Sequence, residues 1–402
     1  MPSYILSKTW LVVDLNQSEL KRVAYLGILL FGLVSLSGDL IYEGARSILP
    51  NYLYALGASA SIVGFASGLG EFFGYALRLV SGYLADTTRA YWFFTLAGYL
   101  LLISVPLQAF AGLWQVAIIL LLVERIAKAM RSPSRDVLLS HISGSVGAGK
   151  AFGLHELMDQ IGAIGGPFIV AATLYMTGNS YFYSFLALFG PYILLALSVL
   201  YAYYRLKPYT ETIVKIKGST YSSQLSFLTS KFAFYTIAVA LNTAGLIHVS
   251  LILYRASSLT IVWILPVLYL AAQATDAVAA PTAGYLYDKY GRKILLIAFL
   301  LSTVPSILTF TGGFESIVTA ILIFGIVYGM QESIYRAAVS DIAPKEARGL
   351  AYGLFYTAYG VGFLVSGSIF GQLLDLHFTY LAIVYSVCLQ IVASILLKKS
   401  IS

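Results

Sequence analysis

Apolar runs of about twenty residues recur along nearly the whole chain. Each is long enough, as a helix rising ~1.5 Å per residue, to cross ~30 Å of hydrocarbon. A segment in lipid must satisfy its own backbone polar groups, so these runs commit the chain to a bundle of membrane helices. Charged residues make up 11% of the 402, against roughly 25% in soluble domains. That is too little charge to dress a water-facing surface. Windows bounded by charge, Gly or Pro fall at 23–42, 59–84, 91–110, 114–137, 151–176, 181–204, 232–253, 259–286, 293–312, 315–339, 348–374 and 378–397. The expected fold is all-α and polytopic, with twelve transmembrane helices and both termini on one face.

Lys and Arg orient the bundle. The face holding the termini and the loops after even-numbered spans collects twenty of them, whereas the opposite loops hold only Arg46 and Arg255. The excess predicts that this face is cytoplasmic, in a prokaryotic plasma membrane. Topology thus accounts for the net charge of +7, and no nucleic-acid partner is needed. The longest polar stretch, 205–231, reads as a cytoplasmic connector between two bundles, 23–204 and 232–397. Residues 1–22 and 398–402 are cytoplasmic ends. The first segment has only a short apolar run, broken by Asp14 and Glu19, too short and acidic for a cleaved signal peptide, so span one serves as the insertion signal. A single cysteine, Cys388, leaves no internal disulfide and no cysteine metal cluster.

The chain repeats itself. "SGYLADTTR" (Ser81–Arg89) returns as "AGYLYDKYGRK" (Ala283–Lys293), with Gly82 and Gly284 separated by 202 positions. Gly153 and Gly162 return as Gly353 and Gly362, offset by 200, and Arg135 returns as Arg336. Two six-span halves of one ancestral pattern account for this, as in parallel repeats about an axis along the membrane normal.

These loops resemble the signature after spans two and eight of the major facilitator superfamily, roughly G-x-L-x-D-R-x-G-R-R. The second copy carries Gly284, Asp288, Lys289, Gly291, Arg292 and Lys293; the first keeps Gly82, Asp86 and Arg89 without the second glycine. The resemblance implies a cytoplasmic gate at these residues, latching the halves while the outer side is open. Span five, "GLHELMDQIGAIGGPF", carries Gly153, Gly162, Gly166 and Pro167. It is similar to the G-x8-G-x3-G-P motif of proton-coupled exporters, with Val170 and Ala171 where that pattern has glycines. Arg125 matches the span-four arginine associated with proton coupling.

Ionisable side chains at bilayer depth cost ~2.5–3.5 kcal/mol each on insertion scales, so each needs a partner or a wet cavity. Asp39, Glu43 and Arg46 form one helical stripe, expected toward the external mouth. Arg125 needs a partner; Glu71 comes first and Asp159 second, since Glu124 points ~100° away. Proton coupling is therefore expected at Asp39, Glu43, Glu71, Arg125 and Asp159. Substrate contacts are expected at Tyr42, His155, Gln160, Asn242, Gln273, Tyr328 and Gln331. Glu332 and Arg336 read as an i, i+4 ion pair. His155–Asp159 is not HExxH, so metalloprotease chemistry is rejected. "GSVGAGKA" (Gly144–Ala151) lacks the Ser/Thr and the preceding strand of a nucleotide loop.

The expected function is secondary transport of a small solute by alternating access, with no enzymatic reaction and no cofactor. Proton-coupled export of an amphipathic organic compound is the favoured reading. Uptake of a small organic ion or nutrient, or metal-cation transport, is the alternative, and a non-transporting sensor or scaffold represents a different class. The partners expected are the solute, protons and the bilayer, with the chain a monomer.

Overall fold

The structure is a computed structural model and describes residues 17–143, 146–210, 229–344 and 348–401. Most of the N-terminal segment, most of the connector and part of the Gly144–Ala151 stretch lie outside these residues. Among the described residues there is no strand, and the helices make twelve passes. Spans one to six are Gln17–Ala55, Ala60–Thr88, Tyr91–Phe110, Trp114–Ile142, Ala148–Met176 and Tyr181–Thr210. Spans seven to twelve are Ser230–Ala256, Ile264–Tyr290, 291–311, Phe314–Ile342, Arg348–Asp375 and Thr379–Ile401. Spans eight and nine form one helical run of 48 residues. At 1.5 Å per residue it would measure about 72 Å, far more than a bilayer; Gly291, at φ +66°, breaks it.

The largest departure from the sequence expectation is span one. It runs on to Ala55, because Asp39, Glu43 and Arg46 find partners inside the bundle and do not mark its boundary. Asp39 therefore lies near mid-helix, about 24 Å short of the Ala55 end, and not at an external mouth. Arg46 is likewise a half-buried helical residue and not a loop residue, with 16% of its side chain exposed.

Four buried apolar clusters form the core, two mainly in each half. Glycines set the closest seams. A Cβ on Gly162 would meet Leu36 O at 2.5 Å, and one on Gly166 would meet Leu40 O at 2.5 Å, so span five lies on the backbone of span one. The second half repeats this: a Cβ on Gly362, in span eleven, would meet Ala240 O of span seven at 2.6 Å. Close approach of this kind is what small residues provide where lipid offers no hydrophobic drive. Gly153 has nothing within 4 Å of such a Cβ.

Span seven is interrupted at Leu246–His248. Its freed backbone groups are taken up by Ser306 Oγ, which accepts from Ile247 N at 3.0 Å, and by Ser366 Oγ, which donates to Leu246 O. Serines in neighbouring spans thus satisfy a break that lipid could not. The break presents His248 toward the first half, beside Glu71.

Candidate functional site

A cavity of about 510 Å³ lies between the halves, within the ~300–1,000 Å³ of small-molecule sites. It reaches the end of the bundle where Asp86, Asp136 and Gly349 stand. The opposite end is sealed across the halves. Asp375 accepts from Ala60 N and Ser61 N at 2.9 Å each and from Ser61 Oγ at 2.5 Å. Asn51 Nδ2 donates to Leu253 O at 2.9 Å, and Tyr254 Oη donates to Ala58 O at 3.1 Å. Along the same seam, spans two and eleven interleave glycines. A Cβ on Gly64 would overlap Gly367 O, one on Gly68 would reach Phe363 O at 2.6 Å, and one on Gly371 would reach Ala60 O at 2.6 Å. The structure is closed at one end and open at the other.

At the closed end of the cavity sits a buried ion network. Arg46 Nη1 is 3.2 Å from Glu43 Oε1, and Arg46 Nη2 bonds Glu71. Arg125 Nη2 lies 3.4 Å from the same Glu71 oxygen. Gly70 makes room for that arginine, since a Cβ there would be 3.0 Å from Arg125 Cγ. Glu124 also approaches, its Oε2 3.2 Å from Arg125 Nε. This corrects the expectation that it points away: long side chains on adjacent positions can curl toward each other. Two groups of the second half touch the network. Tyr269 Oη donates to Glu43 Oε2 at 2.5 Å, and His248 Nε2 stands 4.0 Å from Glu71.

The rest of the lining carries charges of both signs. Lys128 and Arg131 stack on the Tyr42 ring at 4.4 and 5.5 Å, and Arg131 also covers Tyr99 at 5.1 Å. Arg78 lies over Tyr75 at 5.0 Å. Among the described residues none of these three cations has a carboxylate within 4.0 Å. Glu156, Asp276 and Glu332, also on the wall, lie within electrostatic reach of one another and of Arg336. Arg336 bonds the main-chain carbonyl of Glu332. No ion pair within 4.0 Å joins the side chains of Glu332 and Arg336. The expected i, i+4 pair is thus replaced by a backbone contact, in a segment where Gln331–Tyr335 takes a π-turn that changes the register.

Of the seven residues expected to meet substrate, Tyr42, Gln160, Gln273 and Tyr328 line the cavity. Asn242 and Gln331 do not. They are buried at 0% and 2% exposure in a network where Gln331 Nε2 donates to Asn242 Oδ1 (3.3 Å) and Tyr335 Oη to the same atom (2.7 Å). Gln390 accepts from Asn242 at 2.6 Å, and Tyr359 donates to Gln331 Oε1 at 2.8 Å. His155 is also buried, its Nδ1 3.4 Å from Asp159 Oδ2. Asp159 lines the cavity near Asp39 and not near Arg125.

The gate residues are apart in this conformation. Asp86 accepts from Tyr91 Oη at 2.9 Å, within its own half, and Arg292 Nη1 donates to Ser400 O at 3.4 Å. Among the described residues no hydrogen bond or ion pair joins Asp86 or Arg89 to Asp288, Lys289 or Arg292. Arg89, equivalent to Gly291 at the offset of 202, adopts φ +55°. Both copies thus turn through a positive φ, but Arg89 does so in the left-handed helical region (ψ 25°) and Gly291 at ψ −157°, a conformation that favours glycine. Sequence reasoning missed Lys128, Arg131, Arg78 and Asp276 as cavity groups, and missed the interleaved glycines. Their small-xxx-small spacing, Gly64/Gly68 and Gly367/Gly371, was the available signal.

Comparison with known proteins agrees with this architecture. The profile of the Major Facilitator Superfamily matches residues 225–399. An uncharacterised protein of Mycobacterium tuberculosis is 36% identical over 379 residues, covering 92% of this chain and 91% of its own. An uncharacterised MFS-type transporter of Methanocaldococcus jannaschii is 27% identical over 401 residues, covering 95% and 96%. Among solved structures, the nucleoside transporter NupG superposes with a TM-score of 0.74 at 14% identity, over 94% of this chain and 99% of that one. A variant of the peptide transporter POT gives 0.70 at 13% identity, over 96% and 98%. With its twelve passes, repeated loops and central cavity, the chain belongs to the major facilitator superfamily and is a membrane transporter of that type.

Proposed function

We propose that the chain moves a small, polar, charged organic solute by alternating access, with proton coupling at carboxylates of the first half. The observation that carries this reading is the lining. A cavity with eight acidic and six basic side chains on its wall disfavours a greasy cargo, because such a solute would strip water from charges and return nothing. The wall therefore supports the small organic ion over the amphipathic compound suggested by the span-five glycines, whose spacing close packing on span one already accounts for. Asp39 lines the cavity, and Glu71 holds two arginines at its closed end. A proton on Glu71 would loosen both arginines, linking protonation to the surface where the halves meet. The basic end is cytoplasmic on the charge rule, so the described conformation is open inward.

Two experiments test this. Single cysteines at Gly349→Cys (open end) and Ala58→Cys (sealed end), in a Cys388→Ser background, read alternating access by maleimide labelling. Solute-independent labelling of one site alone under every condition would rule out two exchanging states. In proteoliposomes, an imposed pH gradient should drive flux, with the sign giving direction, and Glu71→Gln and Asp39→Asn should abolish the response. Flux that ignores the gradient, with both variants transporting normally, overturns the coupling.

A further inference from the structure

The wall charges are mixed, but two groups of side chains among them each carry mainly one sign. One group is Arg78, Lys128 and Arg131, without a carboxylate within 4.0 Å among the described residues. Arg131 is 3% exposed, yet its Nη1 has no hydrogen-bond partner. A buried guanidinium nitrogen left unpartnered beside a cavity is costly unless something else binds it. The rings of Tyr42 and Tyr99 lie 5.5 and 5.1 Å from the Arg131 guanidinium carbon, and the in-plane donors of a guanidinium suit a carboxylate. Elsewhere on the wall Glu156, Asp276 and Glu332 lie within electrostatic reach of one another, three acids with Arg336, which bonds a main-chain oxygen, as the cation among them. Carboxylates so placed attract a cation, and ammonium donors would satisfy several at once.

We propose that the cavity binds a zwitterion, with its carboxylate on Arg131 and Lys128 and its ammonium group on Glu332 and Asp276. This rests on the transporter reading and narrows its substrate class. A solute with one charge would satisfy one group and leave the other facing a bare hydrocarbon end. A dipolar solute satisfies both and adds no net charge to the moving complex.

The test uses purified full-length protein and three matched probe series: ω-amino acids of two to eight carbons, the carboxylic acids of the same length, and the alkylamines. Thermal stabilisation is titrated for each. An ω-amino acid of fitting length should half-saturate at a concentration about tenfold or more below that of either matched probe, the worth of one charge-assisted contact. Arg131→Gln should remove the advantage over the amine, and Glu332→Gln the advantage over the acid. Arg131→Lys, which keeps the charge, should restore part of it and control for misfolding. Equal stabilisation by a mono-charged probe, or none by any probe, overturns the zwitterion. Because cysteine labelling reads alternating access without solute, that result would leave the transporter reading standing, and a failure of labelling would leave this one separately visible.

Discussion

Asp375 offers the cleanest lever on the conformational equilibrium. It ends span eleven and caps the start of span two, 315 residues away in sequence, through two backbone amides and one hydroxyl. The first amides of a helix lack intrahelical partners and carry the positive end of its dipole, so a carboxylate there is well matched. These bonds join the two halves at the sealed end and must break when that end opens. A buried charged acceptor would contribute ~1.5–3 kcal/mol per hydrogen bond, but Asp375 is exposed, and solvent screening cuts the total to about 2 kcal/mol. Removing it with Asp375→Ala should move the equilibrium toward the state open at that end by about ten- to thirtyfold. The assay is the ratio of maleimide labelling rates at Ala58→Cys and Gly349→Cys, with Cys388→Ser as background and size-exclusion profiles to confirm folding. The sealed-end site should label faster and the cavity site more slowly. A ratio unchanged within about twofold would refute the claim that this cap helps to hold the seal.

Three further outcomes follow from the same contacts. Gly367→Leu places a side chain on the Gly64 carbonyl, so it should favour the state open at the sealed end more strongly than Asp375→Ala, by the same labelling ratio. Gly162→Leu should abolish folded protein in detergent, because its Cβ alone would sit 2.5 Å from Leu36 O, whereas Gly153→Ala, with nothing within 4 Å, should leave the melting temperature unchanged. Arg46→Gln strands Glu43 and weakens the hold on Glu71, and breaking a buried pair costs about 3–5 kcal/mol, so a clear fall in thermal stability is expected.

The sequence made the bundle legible because membrane spans are written in composition. Eleven of the twelve windows lie close to the helices observed, and the exception is informative. Span one was cut short at Asp39, Glu43 and Arg46 because single-sequence reading treats charge as a boundary, and only the fold reveals that Glu71 and Tyr269 receive those charges. The pairing of Glu71 with Arg125 was accessible, since both stand near the middle of their spans. The Asn242–Gln331 network was misassigned because a polar residue in a span reads identically whether it faces a cavity or a neighbouring helix. The shared lining was illegible, because Lys128, Arg131, Glu156 and Asp276 come from three helices whose rotations no local pattern specifies.

The pairing of the buried charges also bears on how the halves can part. The Arg–carboxylate ion pairs of the buried network all lie within the first half. What crosses to that network from the second half is a tyrosine hydroxyl and one histidine. His248 Nδ1 accepts from Ser250 N at 3.1 Å, so its proton sits on Nε2, facing Glu71, and the ring is neutral. Separation therefore breaks one hydrogen bond, from the neutral Tyr269 hydroxyl, moves His248 away from Glu71, and strands no ion, since Glu43 keeps Arg46 and Glu71 keeps both arginines. A charged partner in the second half would have had to be desolvated alone at each cycle, at several kcal/mol. Tyr269→Phe should consequently shift the labelling ratio by about five- to thirtyfold, the ~1–2 kcal/mol of one hydrogen bond to a carboxylate that remains paired, without the stability loss of Arg46→Gln. If Tyr269→Phe unfolds the protein as Arg46→Gln does, the network is a scaffold shared by both halves and cannot be the surface along which they separate.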